Sequence, residues 1–152
     1  MLARNPKALA RFQRAFEAGE VEKRYLAVLD GAPRQEEGAV DLPLAKRSSA
    51  ERGWRIVGDP KGKPARTRWR LLEARGGLAL VEFRPETGRT HQIRVHAAQG
   101  LGAAVLGDPV YGRAHGAGMM LHAAGLAVPR GGKPPVKAEA PTPERFAAVG
   151  FP

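Results

Sequence analysis

Two alternating runs joined by a pair of glycines leave little freedom in how the middle of this chain folds. From Arg66 to Ala74, Thr67, Trp69 and Leu71 fall on one side of an extended backbone, and Arg66, Arg68 and Arg70 on the other. Gly76-Gly77 turns the chain, and Leu78 to Phe83 returns as the second strand of a hairpin until Pro85 ends it. Further strands are expected at Lys23 to Leu29, closed by Asp30-Gly31, at Met120 to Val128, and at Val136 to Ala140 beyond a hairpin loop at Arg130 to Lys133.

Helices are expected to be few and short. Asn5 can cap a helix that has Pro6 in its first turn, apolar Leu9, Phe12 and Phe16 on one face, and Gly19 as its stop. A second is expected between Thr90 as cap and Gly100 as stop, and a third over Pro141 to Val149 with Thr142 as cap. Residues 32 to 65 carry Pro33, Gly38, Pro43, Gly53, Gly58, Pro60, Gly62 and Pro64, which allow only short strands and loops. No internal repeat or linker divides the chain. The expectation is one α+β domain over residues 1–152, a mixed, mainly antiparallel β-sheet with flanking short helices.

Composition narrows the functional classes. There is no cysteine, so disulfides, thiolate metal sites and a cysteine nucleophile are excluded. No apolar run approaches the roughly 20 residues that span a bilayer, and Arg4, Asn5 and Pro6 break the pattern of a signal peptide. A cytoplasmic protein without a membrane partner is the expectation. Lys and Arg outnumber Asp and Glu by 25 to 15, a formal charge of +10 spread along the chain. A folded domain this basic points to a polyanionic partner, nucleic acid first. Codon bias of a high-GC genome toward arginine is the other source of such an excess.

The chemistry concentrates in Pro85 to Gly112, PETGRTHQIRVHAAQGLGAAVLGDPVYG, where Arg89, His91, Gln92, Arg94 and His96 crowd together beside glycine turns. Such a density of donors suits a phosphate or a base. It does not suit a metal. His91 and His96 are five residues apart, on different faces of either a helix or a strand, and a site needs three or four converging ligands.

This segment resembles the signature of the RluA/RsuA-type RNA pseudouridine synthases, E-T-G-R-T-H-Q-I-R-V-H followed by G-D-P-x-Y-G. Glu86 to His96 matches every position of the first part, and Gly107 to Gly112 matches the second. Lys23-Arg24-Tyr25-Leu26-Ala27 resembles the family's K-x-Y-L-A strand, Leu121-His122-Ala123 its L-H-A strand, and Glu139-Ala140-Pro141 its late E-A-P. The resemblance implies isomerisation of uridine to pseudouridine in structured RNA, rRNA or tRNA, with neither cofactor nor metal. The uridine would leave the stack for a pocket. It further implies that Tyr25 stacks on the base and that Arg94 meets the catalytic aspartate, keeping it ionised. Ile93 would line the pocket, while Arg89, His91 and Gln92 orient the loop or the RNA. His96 and Asp108 have a structural look.

The family's aspartate lies in a segment close to H-R-L-D-x-x-T-S-G, and no such segment occurs here. In family order it would precede Leu2-Ala3-Arg4-Asn5. The expectation is therefore a catalytic domain lacking its upstream segment, inactive alone, with Arg94 an unpaired charge in the cleft. The alternatives are a non-catalytic basic RNA-binding module and a structural protein of a ribonucleoprotein particle. The face formed by Arg66, Arg68 and Arg70 either tracks RNA or is merely solvated. Trp54 and Trp69 are read as core or edge packing in preference to base-stacking platforms.

Overall fold

A computed structural model describes residues 21–130 and 133–151, so the helix expected behind Asn5-Pro6 lies outside the described residues. Among the described residues eight strands carry the fold: β1 Glu22–Leu29, β2 Glu37–Asp41, β3 Leu44–Ser49, β4 Gly53–Gly58, β5 Arg66–Arg75, β6 Leu78–Pro85, β7 Leu121–Arg130 and β8 Lys133–Glu139. Six of them form one sheet in the order β2-β5-β6-β1-β7-β8, and β3-β4 form a separate ribbon. Every pairing is antiparallel. The mainly antiparallel α+β architecture expected from the sequence is the one observed.

The central hairpin forms as its alternation predicts. Thr67 and Trp69 are buried while Arg66, Arg68 and Arg70 are exposed, and Gly76 and Gly77 turn the chain with φ of 60° and 80°, a left-handed pair that favours glycine. β1 is different. Leu26, Ala27, Val28 and Leu29 are all buried, because this strand has a core on each face. On one face Ala27 and Leu29 join Trp69, Val81 and Phe83 under Ile93, Ala97 and Val105. On the other, Leu26 and Val28 meet Met120, Phe146 and Phe151. The C-terminal segment thus covers one side of the sheet, and the signature segment covers the other. Burying a side chain of this size stabilises by about 1.5–3 kcal/mol relative to exposure.

The short helices start and stop differently from the sequence expectation. Helix α1 is Gln92–Val95, and it continues as a π-helical turn over His96–Gly100, where the Leu101 N–H donates to His96 O at 3.1 Å. Its cap position is His91 at φ 54°, with no side-chain cap, so Thr90 does not cap the helix. The left-handed residue reverses the chain immediately before the first helical turn, and Thr90 falls one residue too early. Helix α2, Glu144–Ala147, follows Pro143 in an extended conformation, which likewise leaves Thr142 too far upstream to cap it. Among the described residues no helix is long and apolar enough to cross a membrane.

Candidate active site

The site is built where β1, the end of β6 and helix α1 meet. Lys23 and Tyr25 are two apart on β1 and so project to the same side. β7 carries one extra residue, Ala124, opposite this point, since Arg24 pairs with Gly125 but Tyr25 with Ala123. Bulges of this kind re-aim neighbouring side chains. The loop after Pro85 then brings the signature over the same face. A cavity of about 330 Å³ results, lined by Lys23 and Tyr25 from the strand, Thr87 and Arg89 from the loop, and His91, Gln92, Ile93 and Arg94 around the start of the helix. Tyr25, Ile93, Arg94, Arg89, His91 and Gln92, all singled out in the sequence, thus line one cleft.

The loop is held by Gln92. Its carboxamide is buried, and every hydrogen-bonding position is used within the protein. Oε1 accepts from Thr87 Oγ1 at 2.6 Å and from the Arg89 N–H at 3.0 Å. Nε2 donates to Arg66 O at 3.0 Å and to Thr67 Oγ1 at 2.9 Å. An amide has two donors and room for two acceptor contacts, so nothing is left for a ligand. Gln92 thus ties the loop to β5. Its network continues through Thr67 to His96 Nδ1 at 2.7 Å, and His96 Nε2 lies 2.9 Å from Leu42 O. His96 is fully buried. Burial lowers its pKa against the backbone contact that favours the charged form, so the ring is neutral, with Nε2–H donating to the carbonyl and Nδ1 accepting from Thr67.

Arg94 departs from expectation. It is not an unpaired charge: Nε donates to Asp108 Oδ2 at 2.9 Å and Nη2 to Oδ1 at 2.8 Å, a bidentate pair. Asp108 is fully buried, and its Oδ1 also accepts from the Val110 and Tyr111 N–H groups at 2.9 and 3.1 Å. Burial opposes its ionisation. The Arg94 guanidinium and the two backbone donors outweigh that, and the carboxyl is held below its ordinary value of 3.8. The hydrogen bonds that Arg94 donates to Asp108 in turn raise the Arg94 pKa against the effect of burial. Asp108 is aimed by Gly107, whose φ is 83° and whose absent Cβ would collide with the Gly118 carbonyl. The glycine and aspartate of the G-D-P-x-Y-G motif are therefore one device: a left-handed turn that puts a carboxylate under Arg94. Arg94 Nη1 has no protein partner among the described residues, and the guanidinium lies 5.1 Å from the Tyr111 ring centroid.

His91 is the one non-glycine residue with positive φ among the described residues. Such a conformation is uncommon for a residue of this size, and three contacts hold it. Tyr111 Oη accepts the Ile56 N–H at 2.9 Å and lies within hydrogen-bond distance of His91 Nδ1 at 2.8 Å. The ring stacks on Trp54 at 5.0 Å between centroids and 22° between planes, and meets Tyr111 edge-on at 5.6 Å. Burial, followed by the nearby Arg94 charge, lowers the His91 pKa. The two tryptophans differ in burial. Trp69 is a core residue, but Trp54 is 46% exposed on the β3-β4 ribbon.

Arg66, Arg68 and Arg70 are not brought to this cleft. They face the other side of the sheet, in a depression of about 500 Å³ that also includes Glu37, Glu82 and Arg84. Arg66 is tied to Glu86 at 2.5 Å, while Arg68 and Arg70 make no ion pair among the described residues. The residue that sequence reasoning passed over is Lys23. It lines the cleft, its Nζ is 3.5 Å from Thr87 O, and burial lowers its pKa. Its place two residues before Tyr25 in the K-x-Y-L-A strand was the available signal.

The cleft has an aromatic side chain at one wall, an ion pair at another and basic side chains around it, a lining compatible with a planar ring carried on a polyanion. The family model for RNA pseudouridylate synthase matches residues 1–99. An uncharacterized RNA pseudouridine synthase of Zymomonas mobilis is 53% identical over 154 residues, covering 99% of this chain and 70% of the relative. The ribosomal large subunit pseudouridine synthase D of the same organism is 42% identical over 74% of this chain and 35% of its own length. Among solved structures, human RNA pseudouridylate synthase domain containing 1 superposes with a TM-score of 0.75 at 32% identity, over 91% of this chain and 62% of that one. Human RNA pseudouridylate synthase domain containing 4 gives 0.76 at 25%, over 94% and 66%. The chain belongs to the RNA pseudouridine synthase family, a family of isomerases. It spans about a third of the second relative and about two thirds of each solved structure.

Proposed function

We propose that this domain isomerises uridine to pseudouridine in structured RNA, rRNA or tRNA, in the cytoplasm, and that its cleft is the uracil pocket. The observation that carries this is the convergence of Tyr25, Ile93 and Arg94, from β1 and α1, on one cavity of about 330 Å³. The reaction breaks the bond from N1 of uracil to the ribose, turns the ring, and joins its C5 to the same ribose carbon. The hydrogen from C5 leaves as a proton, and N1 takes up a proton in its place. Nothing is gained or lost otherwise, so no redox partner is required. Tyr25 offers a ring face to the uracil, Ile93 excludes water from it, and Lys23 and Arg89 sit where the flanking phosphates would pass. Arg94 is fixed by Asp108 through Nε and Nη2, which leaves Nη1 for a second carboxylate.

That second carboxylate is proposed to be an aspartate from an H-R-L-D-x-x-T-S-G segment, which the 152 residues do not contain. Asp108 does not substitute for it, being fully buried under Arg94. Tyrosine, with an ordinary pKa near 10, and arginine do not replace a carboxylate at the ribose. The test is tritium release from RNA carrying 5-tritiated uridine. The 152-residue chain is compared with one extended upstream by such a segment, and with the extended chain carrying Arg94→Ala. Turnover is expected only from the extended chain with Arg94 intact. Turnover by the 152-residue chain sinks the assignment of the nucleophile.

A non-catalytic RNA-binding module is the second reading. It is favoured by one observation, the closed Arg94–Asp108 pair, which needs no further carboxylate to neutralise it. An extended chain that binds RNA but releases no tritium would support it.

A further inference from the structure

A second concavity adjoins the uracil cleft, and the reaction as proposed makes no use of it. It is a groove of about 900 Å³ between the β3-β4 ribbon and the signature loop, with Leu44, Ile56 and Pro64 as its apolar floor. The cations Lys46, Lys61, Lys63 and Arg89 line it, and no acidic side chain among the described residues does. Trp54 stands in its wall. The two concavities share Gly88 and Arg89. Between them stands the stacked pair of rings, with His91 lining the cleft and Trp54 the groove.

We propose that Trp54 is a stacking platform for the base of a nucleotide flanking the target uridine, whose backbone runs through this groove along Lys46, Lys61, Lys63 and Arg89. The proposal rests on the RNA reading above and adds a second subsite to it.

Three features argue for a base and against simple packing. Trp69 is buried in the core, whereas Trp54 keeps 46% of its surface open toward the groove. Its position is fixed in advance. The ring stacks on His91, which is locked by Tyr111 Oη, and Tyr111 Oη in turn holds the ribbon through the Ile56 N–H. A rigid, half-exposed aromatic face is what a sequence-tolerant base contact requires, since every base has a π-face. The surrounding charge has one sign and is held on flexible stems. Lys46 Nζ lies 4.9 Å from the Trp54 ring centroid and is free to turn to a phosphate once a base takes the ring. The lowered pKa of His91, caused first by burial, favours the neutral imidazole, which does not repel the cations around the groove.

The experiment measures binding of the full chain to two labelled probes, a uridine octamer and an octamer of the same ribose-phosphate backbone without bases. Trp54→Ala is expected to weaken the uridine octamer by about 5- to 150-fold, the range for losing one stacked base, and to leave the abasic probe unchanged. Trp54→Phe is expected to restore most of the affinity. Native unfolding transitions for both variants serve as the folding control. Equal binding of both probes by wild type and Trp54→Ala overturns the platform while leaving the RNA reading intact. So does an equal loss on both probes, which would make Trp54 a brace for the ribbon. If the wild-type chain binds neither probe, the RNA reading fails and the platform fails with it.

Discussion

Replacing Asp108 by Ala should be among the most damaging single changes in the described structure, and its size can be worked from the contacts. The carboxylate is fully buried and receives four hydrogen bonds, two from Arg94 and two from backbone N–H groups. Removing one member of a buried ion pair costs about 3–5 kcal/mol, because the other is left as an uncompensated charge. The Arg94 side chain keeps 14% of its surface open, so water from the cleft reaches it and the lower end of that range applies, about 3 kcal/mol. Asp108→Asn keeps an acceptor for the backbone donors but loses the charge, and should cost about 2 kcal/mol. Urea unfolding at pH 7 measures both, provided the slope m is unchanged. For a domain of this length, 3 kcal/mol is a fall in Tm of about 6–12 °C. The pH dependence gives a second reading. The folded pKa of Asp108 lies below its ordinary 3.8, so its contribution is present above about pH 4 and is lost as pH falls through the folded value. Asp108→Asn should flatten that acid limb. A cost below about 1 kcal/mol for Asp108→Ala would refute the claim that this pair anchors Arg94.

Other outcomes are expected from the same structure. His96 is neutral and buried with its pKa below the ordinary 6.5, so the unfolded chain takes up a proton that the folded one refuses. Stability should therefore decline as pH falls from about 6.5 toward the folded value, and His96→Gln, read by thermal unfolding, should remove that part of the slope. Lys23→Met should weaken RNA binding without lowering Tm, measured by filter binding beside a melting curve, since its ammonium faces the cleft and its burial disfavours the charge. An unchanged affinity would make Lys23 a packing residue. Changing Arg66, Arg68 and Arg70 together to Ala should reduce the slope of log K against log salt by about one unit for each phosphate that is no longer neutralised. The effect should come mainly from Arg68 and Arg70, because Arg66 is already tied to Glu86. An unchanged slope assigns that face to solvent.

Much of this protein is determined by short-range pattern. The β5-β6 hairpin follows from alternation and two glycines, and the burial of Thr67 and Trp69 against exposed arginines follows from the same period of two. The signature residues from Glu86 to His96 and from Gly107 to Gly112 are consecutive, so they are legible in sequence as candidate chemistry, and Tyr25, Ile93 and Arg94 do line one cleft. What the sequence could not decide depends on partners distant along the chain. Thr90 and Thr142 look like caps, yet a left-handed His91 and an extended Pro143 move both helix starts downstream. Cap propensity is weaker than the loop closure that tertiary packing imposes. Alternation accounts for the burial of Trp69 in the six-stranded sheet, but Trp54 lies in a stretch without such a pattern, and only the fold places it on a separate ribbon where it stacks on His91. The charge of Arg94 could not be balanced from sequence either. Asp108 is 14 residues away, and only the turn at Gly107 aims it at the guanidinium. Local sequence determines which groups are present and which way a strand faces. Which charge is buried against which is decided by the fold, because an ion pair is set by distance in space and desolvation, and neither is a property of neighbouring residues.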